Sequence, residues 1–106
     1  MDTKKISGND DFIASIGTGV TLVDFNAPWC GPCRAQEPII DQLSNEYNGR
    51  ALIAEMNVDE NQQTALELGI QSIPTLALFR NGQELQRFVG LQSKNTLIQA
   101  LDSALS

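Results

Sequence analysis

The chain has 106 residues, a formal net charge of −6, no histidine and two cysteines. This length predicts a single domain, spanning residues 1–106, whose core is large enough to fold without disulfides. The negative charge disfavours nucleic acid and anionic membranes as partners, and the lack of histidine excludes Cys–His proteases, Ser–His–Asp hydrolases and histidine-containing zinc sites.

The opening segment, Met1–Ser7, has basic residues but no apolar stretch after them, so we expect no secretory signal. No apolar run in the sequence is long enough to cross a bilayer. We therefore expect a cytoplasmic protein. In that compartment two close cysteines more often serve redox or metal chemistry than a structural bridge.

Helix and strand patterns alternate from the start of the chain. A short first helix is predicted, with Asn9 or Asp10 as its cap and Gly17 at its end. Its core-facing residues are predicted to be Phe12, Ile13 and Ile16. The nearly continuous apolar run Val20–Phe25 then predicts a strand that is covered on both faces.

The middle of the chain repeats this alternation. Helical spacing of apolar residues predicts a helix over Cys33–Tyr47, which Pro38 should kink. Ala51–Val58 is predicted to be a second buried strand. Asp59–Leu68 is predicted to be a helix that is opened by Asp59 or Asn61 and stops at Gly69.

The last third predicts a hairpin and a helix. Thr75–Arg80 and Glu84–Val89 flank Asn81-Gly82, which favours a type I′ turn. Ser93 is the predicted cap of the last helix, whose inward residues are Leu97, Ile98, Leu101 and Leu105. A βαβαβ pattern followed by a hairpin and a helix predicts an α/β fold, with a mixed sheet and helices on both faces.

Both cysteines lie in the segment Trp29-Cys30-Gly31-Pro32-Cys33, directly after the first predicted strand. A Cys-x-x-Cys pair at a strand-to-helix junction is typical of reversible dithiol–disulfide chemistry. The positive end of the helix dipole should lower the pKa of the Cys30 thiol and favour the reactive thiolate. We expect Cys30 to be partly exposed and to attack substrate. Cys33, inside the first helical turn, should be shielded and should resolve the mixed disulfide.

The residues between the cysteines indicate the direction of the reaction. Pro32 has a fixed φ that suits a helix start, and it stiffens the ring that a disulfide would close. Gly31 and Pro32 leave no histidine beside Cys30, which favours a reductase over an oxidase or isomerase. Two cysteines alone cannot supply the four ligands of a structural zinc or a cubane iron–sulfur cluster.

Further segments occur in the order and at the spacing of one protein family. They are Val23-Asp24-Phe25, Ala27-Pro28-Trp29-Cys30-Gly31-Pro32-Cys33, Pro38, Ile73-Pro74-Thr75, Asn81-Gly82 and Val89-Gly90. With these motifs the chain resembles the thioredoxin family from about Val20 to Leu105. The resemblance implies a thioredoxin fold with a central mixed five-stranded sheet flanked by four helices. It also implies a cis Ile73–Pro74 bond that faces the dithiol.

The resemblance also implies an activity and its partners. It implies a general protein-disulfide reductase without a bound cofactor, which acts on disulfide-containing proteins. An NADPH-dependent thioredoxin reductase would recharge it, and we expect the chain to be a monomer. The alternatives are a dedicated reductant for one enzyme, a binding module with an incidental dithiol, and a zinc site shared between two chains.

Asp24 is an acidic residue inside an apolar strand. A buried carboxyl has a raised pKa, which suits proton transfer near neutral pH, and the resemblance places Asp24 beneath Cys33. The alternative is a carboxylate that faces water. Glu55 stands where the family often has lysine, so we hypothesise that Asp24 and Glu55 titrate as a coupled acidic pair. The alternative is that Glu55 turns to solvent or to an arginine.

The resemblance implies a mostly uncharged docking surface around the dithiol for flexible disulfide segments. Its residues are Trp29, Gly31, Pro32, Val58, Ile73, Pro74, Val89, Gly90 and Leu91. For Val58 and Val89, a place in the strand core is an equal interpretation. Asn26 departs from the aromatic residue common in the family. Arg34 either aids the thiolate or merely solvates its helix.

Overall fold

Five strands and four helices make up the part of the chain that the structure describes. The computed structural model describes residues 3–106, so Met1 and Asp2 of the opening segment lie outside the described residues. The elements are β1 (Lys4–Lys5), α1 (Asn9–Ile16), β2 (Val20–Asn26), α2 (Gly31–Glu46), β3 (Leu52–Asn57), α3 (Gln62–Glu67), β4 (Thr75–Arg80), β5 (Gln83–Val89) and α4 (Lys94–Leu105). Within this part of the chain, no helix combines the length and the apolar character needed to span a bilayer.

The five strands form one mixed sheet in the order β1-β3-β2-β4-β5. β1 and β2 run parallel to β3, whereas β4 is antiparallel to both β2 and β5. The sheet and the four helices confirm the architecture that the resemblance implied. The apolar pattern did not predict β1, because a strand of two lysines, Lys4 and Lys5, exists only through its pairing with β3.

The sheet is covered on both faces, so the predicted burial of β2 is confirmed. One face packs against α2 and α4 through a cluster that includes Leu22, Ile40, Leu43, Leu76, Leu97 and Leu101. The other face packs against α1 through Phe12, Ile16, Val23, Phe25, Met56 and Phe79. Asp24 alternates with Val23 and Phe25, so its side chain lies on the face covered by α2 and α4.

The first helix differs from its prediction in two ways. Ile13 is exposed, because Phe12 and Ile16 are four residues apart and already fill the face that meets the sheet. The predicted caps, Asn9 and Asp10, are wrong: the N-cap is Gly8, without a side-chain capping bond. Asn9 instead accepts a hydrogen bond from Thr64.

The third helix is shorter than the predicted range, Asp59–Leu68, and its N-cap is Asn61, one of the two predicted openers. The Asn57 side chain accepts the N–H groups of Asp59 and Glu60, which holds these residues in a turn before the helix begins. The predicted turn between β4 and β5 is confirmed. Asn81 and Gly82 have φ values of 50° and 86°, as a type I′ turn requires.

Two further helices follow their signals closely. The hydroxyl oxygen of Ser93 accepts the Thr96 N–H at 3.2 Å, which confirms the predicted cap of α4. α2 begins at Gly31, two residues before the predicted start, so the whole Gly31-Pro32-Cys33 segment is helical. Pro38 lies inside this helix, as expected.

Candidate active site

The two cysteines lie where β2 passes into α2. Cys30 is the N-cap residue of α2, and Cys33 lies in the first turn. The Cys30 Sγ accepts the N–H of Cys33 at 3.2 Å, and the two residues form a disulfide. Pro32 stands at the start of the helix, where its missing N–H leaves no bond unmade. After reduction, the same N–H and the helix dipole would favour a thiolate on Cys30.

Cys30 is less accessible than predicted. In the oxidised protein Cys30 and Cys33 are 5% and 4% exposed, so the expected difference between them is absent. The reason is packing from distant segments, because Val58 and Ile73 pack against the cluster that Ala27 forms with the two cysteines. The N-cap position and the N–H bond, rather than exposure, distinguish Cys30 from Cys33.

The segment around Pro74 reaches the disulfide from the other side. The Ile73–Pro74 bond is cis, as the resemblance implied, and the Ile73 carbonyl oxygen lies 3.8 Å from the Cys30 Sγ. The Pro74 carbonyl oxygen accepts the N–H of Gly90 at 2.8 Å. The segments just before α2, just before β4 and just after β5 therefore come together at Cys30, Pro74 and Gly90.

Several side chains around this meeting point are apolar and exposed, whereas Pro74 is buried. Val89 is 62% exposed, which favours a surface position over a place in the strand core. Trp29 and Leu91 are also exposed. The Trp29 Nε1 donates to a carboxylate oxygen of Asp59 at 2.7 Å, so one edge of the indole is held. Val58 is half-buried and packs against the cluster that contains Cys30 and Cys33.

Asp24 is buried behind this site, as predicted. Asp24 is 1% exposed. Within residues 3–106, its Oδ1 is the one buried side-chain nitrogen or oxygen atom that has no hydrogen-bond partner. Burial, then the negative charges of Glu55 and Glu37, raises the pKa of Asp24 to about 7, although hydrogen bonding from Asn26 opposes this rise. Such a carboxyl exchanges protons readily at neutral pH.

Glu55 is the neighbour of Asp24 on the adjacent parallel strand. Partial burial raises the pKa of Glu55, the nearby charge of Lys5 lowers it, and Glu37 and Asp41 raise it further. After burial, the charge of Glu55 is the next largest cause that raises the pKa of Asp24. No ion pair joins Glu55 to an arginine within the described residues.

A cleft of about 520 Å³ opens beside α2, and Cys33, Asn26 and Glu55 are among the residues that line it. Glu37 also lines the cleft and follows Cys33 by one helical turn, so the two side chains share a face of α2. The cleft therefore gives solvent access to Cys33 and to Glu55, the strand neighbour of Asp24, although Asp24 itself does not line it. No cluster of three or more potential metal ligands was found in residues 3–106.

The contacts of two residues near the cleft and the docking surface, Arg34 and Gln36, were not predicted from the sequence. Arg34 donates to the Pro28 carbonyl oxygen at 3.3 Å, so it holds the loop before Cys30. Gln36 is fully buried and binds the main chain of Gln92. A glutamine four residues before Ile40, on the apolar face of α2, is the sequence signal that could have identified it.

Comparisons with known proteins agree with this geometry. The family model described as Thioredoxin matches residues 4–103. Thioredoxin of Staphylococcus epidermidis is 43% identical over 97 residues, which cover 92% of this chain and 93% of the relative. Thioredoxin of Staphylococcus aureus is 44% identical over 95 residues, covering 90% and 91%. A solved structure of a thioredoxin mutant from Halobacterium salinarum is 33% identical, with a TM-score of 0.93 over 99% of this chain and 92% of that one. The chain belongs to the thioredoxin family, whose members are protein-disulfide oxidoreductases.

Proposed function

We propose that this chain is a general reductant of protein disulfides in the cytoplasm, acting as a single-domain monomer that an NADPH-dependent thioredoxin reductase recharges. The observation that carries this proposal is the position of Cys30. Its sulfur caps α2 and accepts the Cys33 N–H, so the helix stabilises negative charge on the atom that would attack.

The reaction transfers two electrons from the dithiol to the substrate. The Cys30 thiolate attacks one sulfur of a substrate disulfide, forms a mixed disulfide and expels the other sulfur as a thiolate. The Cys33 thiol loses its proton and attacks the Cys30 sulfur. This step expels the second substrate thiolate and leaves Cys30 and Cys33 oxidised. The expelled thiolates take up protons from solvent.

Asp24 is the proposed acceptor of the Cys33 proton. With a pKa of about 7, Asp24 is about half ionised at neutral pH, so it can take up a proton and release it again. Cys33 and Glu55 line the same cleft, and Glu55 is the strand neighbour of Asp24, which supports a transfer of the proton through water. Glu55 tunes this step, because its charge raises the pKa of Asp24.

The apolar surface around the disulfide is the proposed docking site for substrate. This docking site would include Trp29, Val89 and Gly90. Beside Pro74, the cis bond turns the Ile73 carbonyl toward Cys30. A surface of exposed apolar side chains and main-chain groups binds extended segments with little sequence demand. Gly31 and Pro32 tune the potential of the pair by leaving no charged group between the sulfurs.

The proposal is tested by the reduction of insulin disulfides with dithiothreitol as the electron source. The wild type should accelerate the reduction, and Cys30→Ser and Cys33→Ser should each abolish the acceleration. Cys33→Ser should also accumulate a mixed disulfide with insulin through Cys30, whereas Cys30→Ser should not. A wild type without effect rejects the reductase. Trapping by Cys30→Ser in place of Cys33→Ser reverses the assigned roles.

Recharging requires a separate measurement. Oxidised protein is mixed with NADPH and a bacterial thioredoxin reductase, and the loss of NADPH absorbance is followed with and without insulin. Insulin-dependent consumption of NADPH supports the proposed partner. Partner binding that persists in both serine variants without any catalysis would instead favour a binding module.

A further inference from the structure

Gln36 is a fully buried polar residue that the reaction steps above do not use. It lies on α2, three residues after Cys33 and four before Ile40, and it is 0% exposed. A buried amide is stable only where its hydrogen bonds are made. Its partners therefore define its role.

Both ends of the Gln36 amide bind one residue in the loop between β5 and α4. The Nε2 donates to the Gln92 carbonyl oxygen at 3.1 Å, and the Oε1 accepts the Gln92 N–H at 2.7 Å. Two hydrogen bonds from a helix residue to the same main-chain unit fix both the distance and the orientation of the loop. The loop is thus attached directly to the helix that carries the cysteines.

The contacts continue from Gln92 to the docking surface. The Gln92 Nε2 donates to the carbonyl oxygens of Val89 and Gly90 at 3.3 Å and 3.1 Å. The Gly90 N–H in turn donates to the Pro74 carbonyl oxygen. Gln36 is therefore the point at which α2 joins a continuous set of bonds that reaches the segment beside Cys30.

We propose that Gln36 is a positioning residue for protein substrates. It holds the loop of residues 89–92 in the geometry in which an extended protein segment docks, and it contacts neither the substrate nor the two sulfur atoms. The inference rests on the proposed docking role of Val89 and Gly90. A small disulfide that reaches Cys30 without contacting this loop should not depend on Gln36.

The test compares a protein disulfide with a small one. Gln36→Met keeps a side chain of similar length but leaves the N–H and carbonyl of Gln92 without their partner. Rate constants of the reduced protein are measured by stopped flow with insulin and with dithiodipyridine, a small uncharged disulfide. The rate constant with insulin should fall at least about fivefold, while that with dithiodipyridine should stay within about twofold. Gln42→Met, at an exposed position of the same helix, should change neither.

Hydrogen exchange provides a readout that is independent of catalysis. The Gln92 amide should exchange faster in Gln36→Met than in the wild type, because its acceptor is gone. A ratio of insulin to dithiodipyridine rates equal to that of the wild type overturns the inference. Should Gln36→Met fail to fold, Gln92→Ala tests the same set of bonds, because it removes the bonds through which Gln92 holds Val89 and Gly90. This variant should lower the ratio of insulin to dithiodipyridine rates. An unchanged ratio in Gln92→Ala also overturns the inference. A wild type that does not reduce insulin contradicts the proposed function instead.

Discussion

Replacing Asp24 by Asn should stabilise the oxidised protein, and the gain should depend on pH. Burial raises the pKa of Asp24 from 3.8 to about 7 in the folded protein. The folded state therefore holds this proton more tightly than the unfolded chain. The stability that this proton contributes to the wild type is fully present below about pH 3.8 and is lost progressively as the pH rises towards 7. The amide in Asp24→Asn cannot ionise, so the variant avoids this loss.

The size of the effect follows from the two pKa values. Their difference is about 3 pKa units, and each unit corresponds to about 1.36 kcal/mol, so the loss approaches roughly 4 kcal/mol above neutral pH. This is a large fraction of the stability of a small domain. The variant should thus exceed the wild type by nearly this amount at about pH 8, whereas below about pH 4 the difference should be small.

Urea denaturation of both oxidised proteins across this pH range measures the difference. Asp10→Asn, an exposed position on α1, is the matched control and should give no such pH-dependent gain. A stability difference between Asp24→Asn and the wild type that stays constant from about pH 4 to about pH 8 would refute the reasoning, because it would mean that Asp24 titrates alike in the folded and unfolded chains.

Two further changes test the surroundings of this carboxyl and one helix end. Replacing Glu55 by Gln should lower the pKa of Asp24, since a nearby negative charge disappears. NMR titration of the Asp24 carboxyl measures this, and a shift equal to that in Glu60→Gln, a change at the same cleft, would contradict it. Ser93→Ala should lower the free energy of unfolding by about 1 kcal/mol, because α4 loses its capping bond. Urea denaturation beside Ser103→Ala on the same helix checks this, and equal losses would argue against the cap.

The parts of the fold that were predictable from sequence are those set by neighbouring residues. Asn81-Gly82 determines its turn through backbone preference, and Ser93 caps α4 with its own side chain. β1 could not be predicted, because its two residues become a strand only by pairing with β3. Of the two predicted openers of α3, Asn61 is the N-cap residue and Asp59 is not, because the Asn57 side chain holds Asp59 in a turn that composition alone does not reveal.

The same distinction holds at the candidate site. The spacing of Cys30 and Cys33 and the burial of Asp24 followed from local pattern. The low exposure of Cys30 did not, since Ile73 covers it from a segment 43 residues away. Gln36 was missed because its partner lies 56 residues away in sequence. The roles assigned to these residues stay predictions until the variants are measured.

The buried carboxyl of Asp24 should give the oxidised protein an infrared band that can be assigned to this one residue. The chain has thirteen acidic residues and no imidazole, and both thiols are held in the disulfide. The protonated form of Asp24, with no hydrogen bond to Oδ1, should have a carbonyl stretch displaced from those of solvated carboxyls. Infrared difference spectra across neutral pH would therefore report one proton at one site without isotopic substitution. The same band, recorded before and after reduction, would show directly whether that proton responds to the state of the sulfurs.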